Sequence, residues 1–344
     1  MAYKALIVGC GGMGKGWIKN VRSNPRAELV GLVDIRLEAA QAAAKEFGLD
    51  EGRAFNDLEQ AIPKCRPDFV VDVTVPEAHC SVTVTALGMG VPVIGEKPMA
   101  ESMDSARRMV RASEESGKLY MVSQSRRYDV KHVACRKALE TEAIGTITTV
   151  NCDFYIGAHF GGFRDEMESP LILDMAIHHF DLCRFLTSAD AFAVYAHEFN
   201  PNGSWYKGDP AATVIFEMTN GIVFTYRGSW CAEGCHTSWN GDWRIVGERG
   251  TILMEKDQMP RGQRVVDMGQ KKFHRDIEDV PIPGAEINGA GIGGSLNEFL
   301  DCLDPGAGAA PQCECHDNIK SLAMVFGAIE SSRKGQTPVR VVRE

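Results

Sequence analysis

The sequence predicts an α/β protein of two domains: an N-terminal doubly wound parallel sheet, then an α+β domain with a large, mostly antiparallel open sheet. The chain has 344 residues, too many for one ordinary hydrophobic core. As far as residue 125, short apolar runs alternate with helical patterns, as they do when crossover helices connect parallel strands. Beyond it, strand-like runs follow one another directly, as in an antiparallel sheet. We therefore divide the chain into domains at 1–125 and 126–344.

The first domain is predicted to contain five strands and four helices. The strands are at 3–8, 29–33, 69–73, 91–95 and 119–122, and the helices at 15–24, 37–47, 77–89 and 102–116. Ligands of such sheets bind beyond the carboxyl ends of the strands, so the segments that follow each strand are the candidate binding segments.

The second domain is predicted to be strand-rich. Its helices are at 131–142, 174–186 and 316–334, and its strands at 145–157, 191–198, 211–218, 221–229, 243–247, 250–255 and 264–268. Hairpin signals stand at Thr219-Asn220-Gly221 and Glu248-Arg249-Gly250. The glycine-rich segment 283–294 is expected to be a mobile loop.

A G-x-G-x-x-G motif follows the first strand. Gly9 permits a tight turn, Gly11 lets the backbone approach a pyrophosphate, and Gly14 lets the helix pack closely on the strand. The helix N-terminus then supplies N–H donors to the phosphates. The motif predicts a dinucleotide site that also includes Gly12 and Met13.

The second strand ends at Asp34, twenty residues after Gly14, where a Rossmann unit places the carboxylate that holds the adenosine ribose hydroxyls. An N-cap for the following helix is the alternative role, and the two are compatible. A carboxylate repels a 2′-phosphate, so the predicted cofactor is NAD. NADP stays open because Arg36 could pair with that phosphate. Ile35, between these two residues, is included in the site.

Two further segments end strands of the parallel sheet. Thr74, Val75 and Pro76, with His79 on the next helix, follow one strand, and Glu96 and Lys97 follow another. Because these segments lie at carboxyl ends of strands, we expect them to face the cofactor.

Two motifs together give a specific resemblance. "GEKPMA" (95–100) ends a strand of the first domain, and "LDMAIHHFDL" (173–182) matches the pattern D-x-G-x-H-x-x-D. With "SQSRRYD" (123–129) and "HDNIKSLAMVFGAIESS" (316–332), the chain resembles the Gfo/Idh/MocA oxidoreductases over nearly its whole length. Ser169-Pro170-Leu171 and Ala176 replace glycines of the family, which changes the expected shape of the substrate pocket but leaves the polar residues in place.

The resemblance implies a catalytic set of Lys97, Asp174 and His178. Histidine titrates near neutral pH and suits a general base, while a carboxylate can orient its ring. Asp174 and His178, four residues apart on a predicted helix, share a face; Asp181 follows one turn later, as substrate contact or structural partner, and His179 points elsewhere. An ammonium at Lys97 can stabilise developing alkoxide charge.

Further substrate contacts are expected beside this set. The predicted substrate-binding residues are Arg126, Tyr155, His159, Arg164, Asp174 and His178, with Arg127 and Tyr128 as neighbours that touch cofactor or substrate. Trp230, Trp239 and Trp243 either line a sugar pocket or belong to the sheet core or a dimer interface.

The resulting functional hypothesis is an NAD(P)-dependent dehydrogenase that oxidises one hydroxyl of a sugar, cyclitol or related polyol. One alternative uses tightly bound NAD for transient oxidation during isomerisation or glycoside cleavage. Another is a non-enzymatic regulator that senses NAD or sugar; retention of the catalytic set counts against it. The resemblance also implies a sheet face packed on another subunit, hence a homodimer or homotetramer.

The composition of the chain limits the expected partners and the expected cellular compartment. A formal net charge of −9 disfavours nucleic acid, and no apolar run approaches the length of a membrane helix. The eleven cysteines are scattered and odd in number, as for reduced thiols in a cytoplasmic protein, and no signal peptide is evident. Neither Cys231…Cys235-His236 nor Cys313-Cys315-His316 has the spacing of a zinc module, so no metal is expected.

Overall fold

The computed structural model describes residues 2–304, 306, 308 and 310–341. It divides into two compact units. The first contains the chain up to Tyr128 and also Asn288–Leu322; the second contains Asp129–Ile287 and the chain from Ala323 onward. Within the described ranges, none of the helices has the length and apolar character needed to cross a membrane.

The first unit is a six-stranded parallel sheet with helices between its strands, which confirms the predicted doubly wound class. In chain order the elements are β1 (Tyr3–Val8), α1 (Gly12–Ser23), β2 (Ala27–Val33), α2 (Leu37–Glu46), β3 (Ala54–Phe55), α3 (Leu58–Cys65), β4 (Phe69–Asp72), α4 (Pro76–Gly88), β5 (Val93–Gly95), α5 (Met103–Ser116) and β6 (Tyr120–Val122). The strand order is β3-β2-β1-β4-β5-β6, with every neighbouring pair parallel. The order reverses direction at β1, so the loops after β1 and β4 flank the point where such sheets bind ligands.

The sequence did not predict β3 and α3. The strand is only two residues long, and Pro63 lies inside the helix. The helix is defined instead by its cap: the Asp57 carboxylate accepts the backbone N–H of Glu59 at 2.8 Å and that of Gln60 at 3.4 Å.

The second unit contains a nine-stranded sheet. From Val130 onward the elements in chain order are α6 (Val130–Glu140), β7 (Ile147–Tyr155), α7 (Phe163–Glu166), a π-helical turn (Leu171–Ala176), α8 (Ile177–Thr187), β8 (Ala191–Phe199), β9 (Ala211–Met218), β10 (Val223–Ser229), β11 (Asp242–Gly247), β12 (Gly250–Met254), β13 (Arg261–Val265), β14 (Ile277–Val280), α9 (Gly291–Leu303), α10 (Cys315–Arg333) and β15 (Val339–Arg340). Of these, α9 and the first part of α10, up to Leu322, belong to the first unit. The order is β14-β13-β12-β11-β7-β10-β9-β8-β15, and β7–β10 is the parallel pair in an otherwise antiparallel sheet.

One face of this sheet is covered by α8. The Phe180 ring meets those of Phe216, Phe224 and Tyr226 edge-on, with centroids 4.8 to 6.2 Å apart. Residues on the other face of β8 and β9 alternate with these buried positions and are exposed. The alternation follows from the two-residue period of a strand, and in the described part of the chain it leaves that face of β8 and β9 exposed.

The helix α9 corrects two predictions. Residues 283–294 were expected to form a mobile loop of the second domain, yet α9 begins at Gly291. Leu296, Phe299 and Leu300 are completely buried in the core of the first unit, and the Phe299 ring lies 5.4 Å from that of Phe69. The apolar face at helical spacing therefore belongs to a core built mainly from the N-terminal residues, so 288–322 is not part of the second unit as the 126–344 boundary had placed it.

Candidate functional site

The glycine motif has the backbone geometry that a dinucleotide needs. Gly9 has φ +99°, and a Cβ on it would lie 2.4 Å from the carbonyl oxygen of Val73. A Cβ on Gly14 would lie 2.1 Å from the carbonyl oxygen of Gly9, so neither position accepts a side chain. Gly11 and Gly12, by contrast, have open space where a Cβ would point, at the N-terminus of α1. These residues fit a bound pyrophosphate, since backbone N–H groups face an open cradle.

Asp34 is tied to this loop. Its Oδ2 accepts the backbone N–H of Cys10 and its Oδ1 accepts that of Arg36, both at 3.0 Å. The N-cap of α2 is Arg36, and its side chain makes no cap hydrogen bond. The carboxylate therefore does not cap α2; it joins the loops that follow β1 and β2.

Three large apolar side chains are exposed just beyond the carboxyl ends of neighbouring strands, Met13 in the first turn of α1 and the other two on loops. Met13, Ile35 and Val75 are 53%, 91% and 61% exposed. They follow β1, β2 and β4, which are neighbours in the sheet. Apolar side chains beside open backbone donors are the usual lining of a cofactor site.

Asp72, which the sequence analysis missed, organises the loop after β4. Its Oδ1 accepts the hydroxyl of Thr74 at 2.6 Å, and its Oδ2 accepts that of Thr83 at 3.2 Å. The His79 ring is 1% exposed, with Nε2 3.1 Å from the Thr74 carbonyl and Nδ1 3.8 Å from Asp72. The histidine supports the Thr74–Pro76 turn from inside, and its contact with a cofactor stays a prediction. The available signal was an acidic residue ending the buried strand FVVD.

Glu96 and Lys97 follow β5. The Glu96 Oε1 accepts the indole N–H of Trp17 at 2.7 Å, and Oε2 accepts the backbone N–H of Lys97 at 3.1 Å. Burial raises the pKa of the Glu96 carboxyl, and these donors oppose that rise. The Lys97 side chain is partly exposed.

Arg126, Arg127 and Tyr128, in the turn that follows β6, differ in how far they are exposed. Arg127 is buried and forms a 2.9 Å ion pair with Asp317, while the Tyr128 hydroxyl bonds to Glu298. Both therefore hold the turn against segment 288–322. Arg126 is partly exposed, and its role as a substrate contact stays a prediction.

In the second unit, Asp174 lies in the π-helical turn and His178 in the first turn of α8. Every residue of α8 except His178 is buried. His179 is completely buried, its ring 4.9 Å from that of Phe154 and 5.5 Å from that of Tyr226. The sequence predicted a helix here but not its π-helical turn, a feature that is frequent at functional sites.

Arg164 pairs with Asp174. Its Nε lies 2.7 Å from Oδ2, and the two side chains are 32% and 15% exposed. The guanidinium lies 5.0 Å from the Phe160 ring centroid and 4.7 Å from that of Phe163, both exposed rings. The charged pair is thus flanked by apolar surface, which strengthens the attraction and orients the carboxylate.

The three tryptophans separate into two groups. Trp230 and Trp243 are 1% and 2% exposed and belong to the core, where Trp243 stacks on Phe224 with centroids 5.9 Å apart. Trp239 is 48% exposed, with its ring 6.2 Å from that of Phe160. Only Trp239 therefore offers a free aromatic face.

Tyr155 lies on a different face of the sheet from α8, and its contact with the substrate stays a prediction. Along β7, Phe154 packs against His179 of α8, so Tyr155 points to the opposite face of the sheet. There burial raises the pKa of its hydroxyl, the charge of Asp153 adds to the rise, and Arg227 opposes it. The two-residue strand period separates Tyr155 from the face that α8 covers.

His159 and Asp181 also have structural partners. The His159 ring stacks on Trp205 at 3.6 Å, and its Nε2 lies 2.7 Å from Glu233. Asp181 is 1% exposed and lies 3.9 Å from Arg184. The burial of Asp181 favours a role as structural partner over one as substrate contact, and a substrate contact by His159 stays a prediction.

The cysteine segment near α10 forms a compact polar cluster. Ligand atoms of Glu314, Cys315 and His316 lie within 4.8 Å of one another. The Glu314 carboxylate accepts the Cys315 thiol at 2.8 Å and the His316 backbone N–H at 2.9 Å, so it caps the start of α10. Cys313 instead points into the core of the first unit.

Both parts of the chain match models of one family. Residues 3–124 match "Oxidoreductase family, NAD-binding Rossmann fold" and residues 132–253 match "GFO/IDH/MocA C-terminal domain". The uncharacterized protein y4oX of Sinorhizobium fredii is 32% identical over 99% of this chain and 96% of its own. A D-apiose dehydrogenase of Paraburkholderia graminis is 26% identical over 97% of this chain and 89% of its own.

Among solved structures, an oxidoreductase from Agrobacterium radiobacter in complex with NAD+, L-tartaric acid and magnesium superposes with a TM-score of 0.85. It is 23% identical, and the match covers 99% of each chain. The glycine cradle, the two family matches and the full-length relative agree. This chain belongs to the GFO/IDH/MocA oxidoreductase family, and its first unit is an NAD-binding Rossmann domain.

Proposed function

We propose that the protein is a dehydrogenase that oxidises one hydroxyl of a sugar, cyclitol or related polyol with NAD. The D-apiose dehydrogenase among the relatives supports a carbohydrate substrate. The charged pair of Arg164 and Asp174, flanked by the exposed ring of Phe160, supports a small polar ligand with an apolar face.

The observation that carries the proposal is the position of His178. It is the one residue of α8 that is not buried, and it lies four residues after the partly exposed Asp174. A partly exposed imidazole in an otherwise buried helix can exchange protons with a ligand, which its neighbour His179 cannot do.

The proposed roles follow from the chemistry of each group. His178 accepts the proton of the substrate hydroxyl, and Asp174 fixes its orientation. Lys97 donates a hydrogen bond to the same oxygen and stabilises the negative charge that develops there. NAD, when bound, accepts the hydride from the hydroxyl carbon. Gly11, Gly12 and Asp34 would hold it, with NAD preferred over NADP because of the Asp34 charge.

We also propose a homodimer or homotetramer in the cytoplasm. The uncovered face of β8–β10 carries exposed apolar side chains; these are Phe192, Tyr195, Phe199, Ile215 and Val223. Burial of this face against a second copy would remove it from water. All eleven cysteines are free, in keeping with a reducing compartment.

The test mixes the purified protein with NAD and a panel of aldoses, uronic acids, cyclitols and acyclic polyols while NADH absorbance is recorded. Repeated turnover on at least one panel member is the expected result. An absorbance change limited to the enzyme concentration would instead favour transient oxidation by tightly held NAD. Good NAD binding without any absorbance change would favour a regulator and overturn the proposal.

A further inference from the structure

A buried contact joins the nucleotide-binding helix to the segment that carries Lys97. Trp17 lies in α1, which begins at Gly12 of the cradle. Its indole N–H donates to Glu96 Oε1 at 2.7 Å, and the other carboxylate oxygen accepts the Lys97 backbone N–H at 3.1 Å. Trp17 is completely buried and Glu96 is 9% exposed. A single carboxylate thus bridges α1 and the residue after β5.

These donors oppose the effect of burial on the charge of the Glu96 carboxylate. Burial favours its neutral form and raises its pKa. The groups that oppose this effect are the indole of Trp17, then the charge and backbone N–H of Lys97, then His79. Of the two hydrogen bonds, that from the Trp17 N–H is the shorter, 2.7 Å against 3.1 Å for the Lys97 backbone N–H.

We propose that Trp17 is a positioning residue for the reaction: through Glu96 it keeps a negative charge beside Lys97 and fixes the backbone of that residue. The inference rests on the proposed role of Lys97 in stabilising the substrate oxygen. No partner other than Trp17 holds Glu96 Oε1 in the described chain. Loss of the indole N–H therefore leaves a buried oxygen unpaired and favours uptake of a proton by Glu96.

Neutral Glu96 would change the behaviour of Lys97. A carboxylate beside an ammonium attracts and orients it, so uptake of a proton by Glu96 removes that attraction. Because the Trp17 N–H opposes this uptake, its loss should make the rate decline at a higher pH on the acidic side. A tryptophan that served packing alone would not move that limb when replaced by an isosteric ring without a donor.

The experiment compares Trp17→Phe with Trp243→Phe. Both tryptophans are buried, and the Trp243 indole also donates a hydrogen bond, at 2.8 Å to the Asn240 carbonyl in the second unit. We expect Trp17→Phe to lower kcat about tenfold, the effect of one hydrogen bond to a charged group, and to shift the acidic limb of the pH profile to higher pH. NAD affinity should stay near the wild-type value. Trp243→Phe should leave that limb in place.

Two further measurements complete the test. In Glu96→Gln, the additional Trp17→Phe substitution should have no further effect on the pH profile, because both changes remove the same charge. In NMR spectra of the ¹⁵N-labelled indole groups, the Trp17 resonance is identified by its absence from Trp17→Phe. In the wild-type protein this resonance should shift with pH as Glu96 ionises, and the measurement does not require enzyme activity.

The outcomes separate this inference from the proposed function. If Lys97→Ala abolishes turnover but Trp17→Phe keeps the wild-type kcat and pH profile, Trp17 is a packing residue and the inference is wrong. A Trp17 resonance that does not respond to pH also overturns it. If Lys97→Ala stays fully active, the role of Lys97 is wrong, and the indole titration still reports whether Trp17 controls Glu96.

Discussion

The Asp34 carboxylate accepts the backbone N–H of Cys10 through Oδ2 at 3.0 Å, so the end of β2 is bonded to the glycine loop after β1. The carboxylate is thereby fixed at the edge of the nucleotide cradle. Arg36 lies near it, Nε 4.0 Å from Oδ1, but its side chain is 76% exposed. We therefore expect cofactor choice to depend on the held Asp34 carboxylate and on the exposed side chain of Arg36.

Substitution Asp34→Ser should reverse much of the preference for NAD. The variant loses the carboxylate that would accept hydrogen bonds from the ribose hydroxyls. It also no longer repels a 2′-phosphate. We expect the ratio of kcat/KM for NAD over NADP to fall about 10- to 100-fold, from ~1.5–3 kcal/mol for hydrogen bonds to a charged group. Steady-state kinetics with both cofactors measure this ratio.

The matched control is Asp34→Ser combined with Arg36→Ala. If the released arginine is what accommodates the phosphate, the double variant should lose the gained NADP activity while NAD activity stays low. If the wild type prefers NADP, or if Asp34→Ser leaves the ratio of kcat/KM for NAD over NADP unchanged, Asp34 does not bind the ribose hydroxyls.

Arg164 should control the orientation of Asp174. In Arg164→Met the stem remains against Phe160 and Phe163, but the 2.7 Å ion pair is lost. Because the pair is about one-third exposed at Arg164, we expect a loss of roughly tenfold in kcat/KM and little change in thermal stability. Arg164→Lys should recover part of the rate. If the wild type, Arg164→Met and Arg164→Lys have equal rates, Arg164 has no role in the reaction.

Glu198 should make stability depend on pH. It is 7% exposed, Oε2 accepts the Ser169 hydroxyl at 3.2 Å, and Oε1 has no partner in the described chain. Burial raises its pKa to about 7, Asp209 adds to the rise, and Arg333 opposes it. Since the folded state holds the proton more tightly, stability should fall as pH rises from about 4.5 to about 7 and be constant above that.

The variant Glu198→Gln should lack this fall and be about 2–3 kcal/mol more stable than wild type at pH 8. Urea denaturation at pH 5, 6, 7 and 8 provides the measurement. Glu217→Gln, an exposed position on the adjacent strand β9, is the control and should follow the wild-type curve. A parallel pH dependence in wild type and Glu198→Gln would contradict the prediction.

The alternation of glycine, strand and helix predicted most of the first unit, because each element there is defined by local pattern. It could not predict α9, whose Leu296 and Phe299 bury against a core more than two hundred residues away in sequence. The side of the sheet on which Tyr155 lies likewise depends on strand register, which one sequence pattern does not specify. Motif resemblance indicated Asp174 and His178, whereas the π-helical turn that carries Asp174 left no local signal.

Assembly should depend on the uncovered face of β8 and β9. Tyr195 and Ile215 are cross-strand neighbours there, 42% and 39% exposed. Tyr195→Asp would place a charge in the proposed interface, where it would be desolvated, and should yield a monomer at micromolar concentration by light scattering. Tyr195→Phe should keep the wild-type mass. A monomeric wild-type protein would rule out this interface.

Replacement of His178 tests the proposed base directly. His178→Ala removes the proton acceptor while the glycine cradle and Asp34 are unchanged, so turnover should fall about 10²–10⁴-fold and NAD affinity should stay near wild type. The wild-type rate should decline at low pH, because a protonated imidazole accepts no proton. The residual activity of the variant should lack that acid limb. His274→Ala, an exposed histidine of the second unit, serves as the control.

Lys97→Ala should also lower turnover, and the double variant should lose much less than the product of the two effects, because both groups stabilise one transition state. Near-normal turnover in His178→Ala, or an acid limb that persists, would mean that another group, with Lys97 the first candidate, accepts the proton.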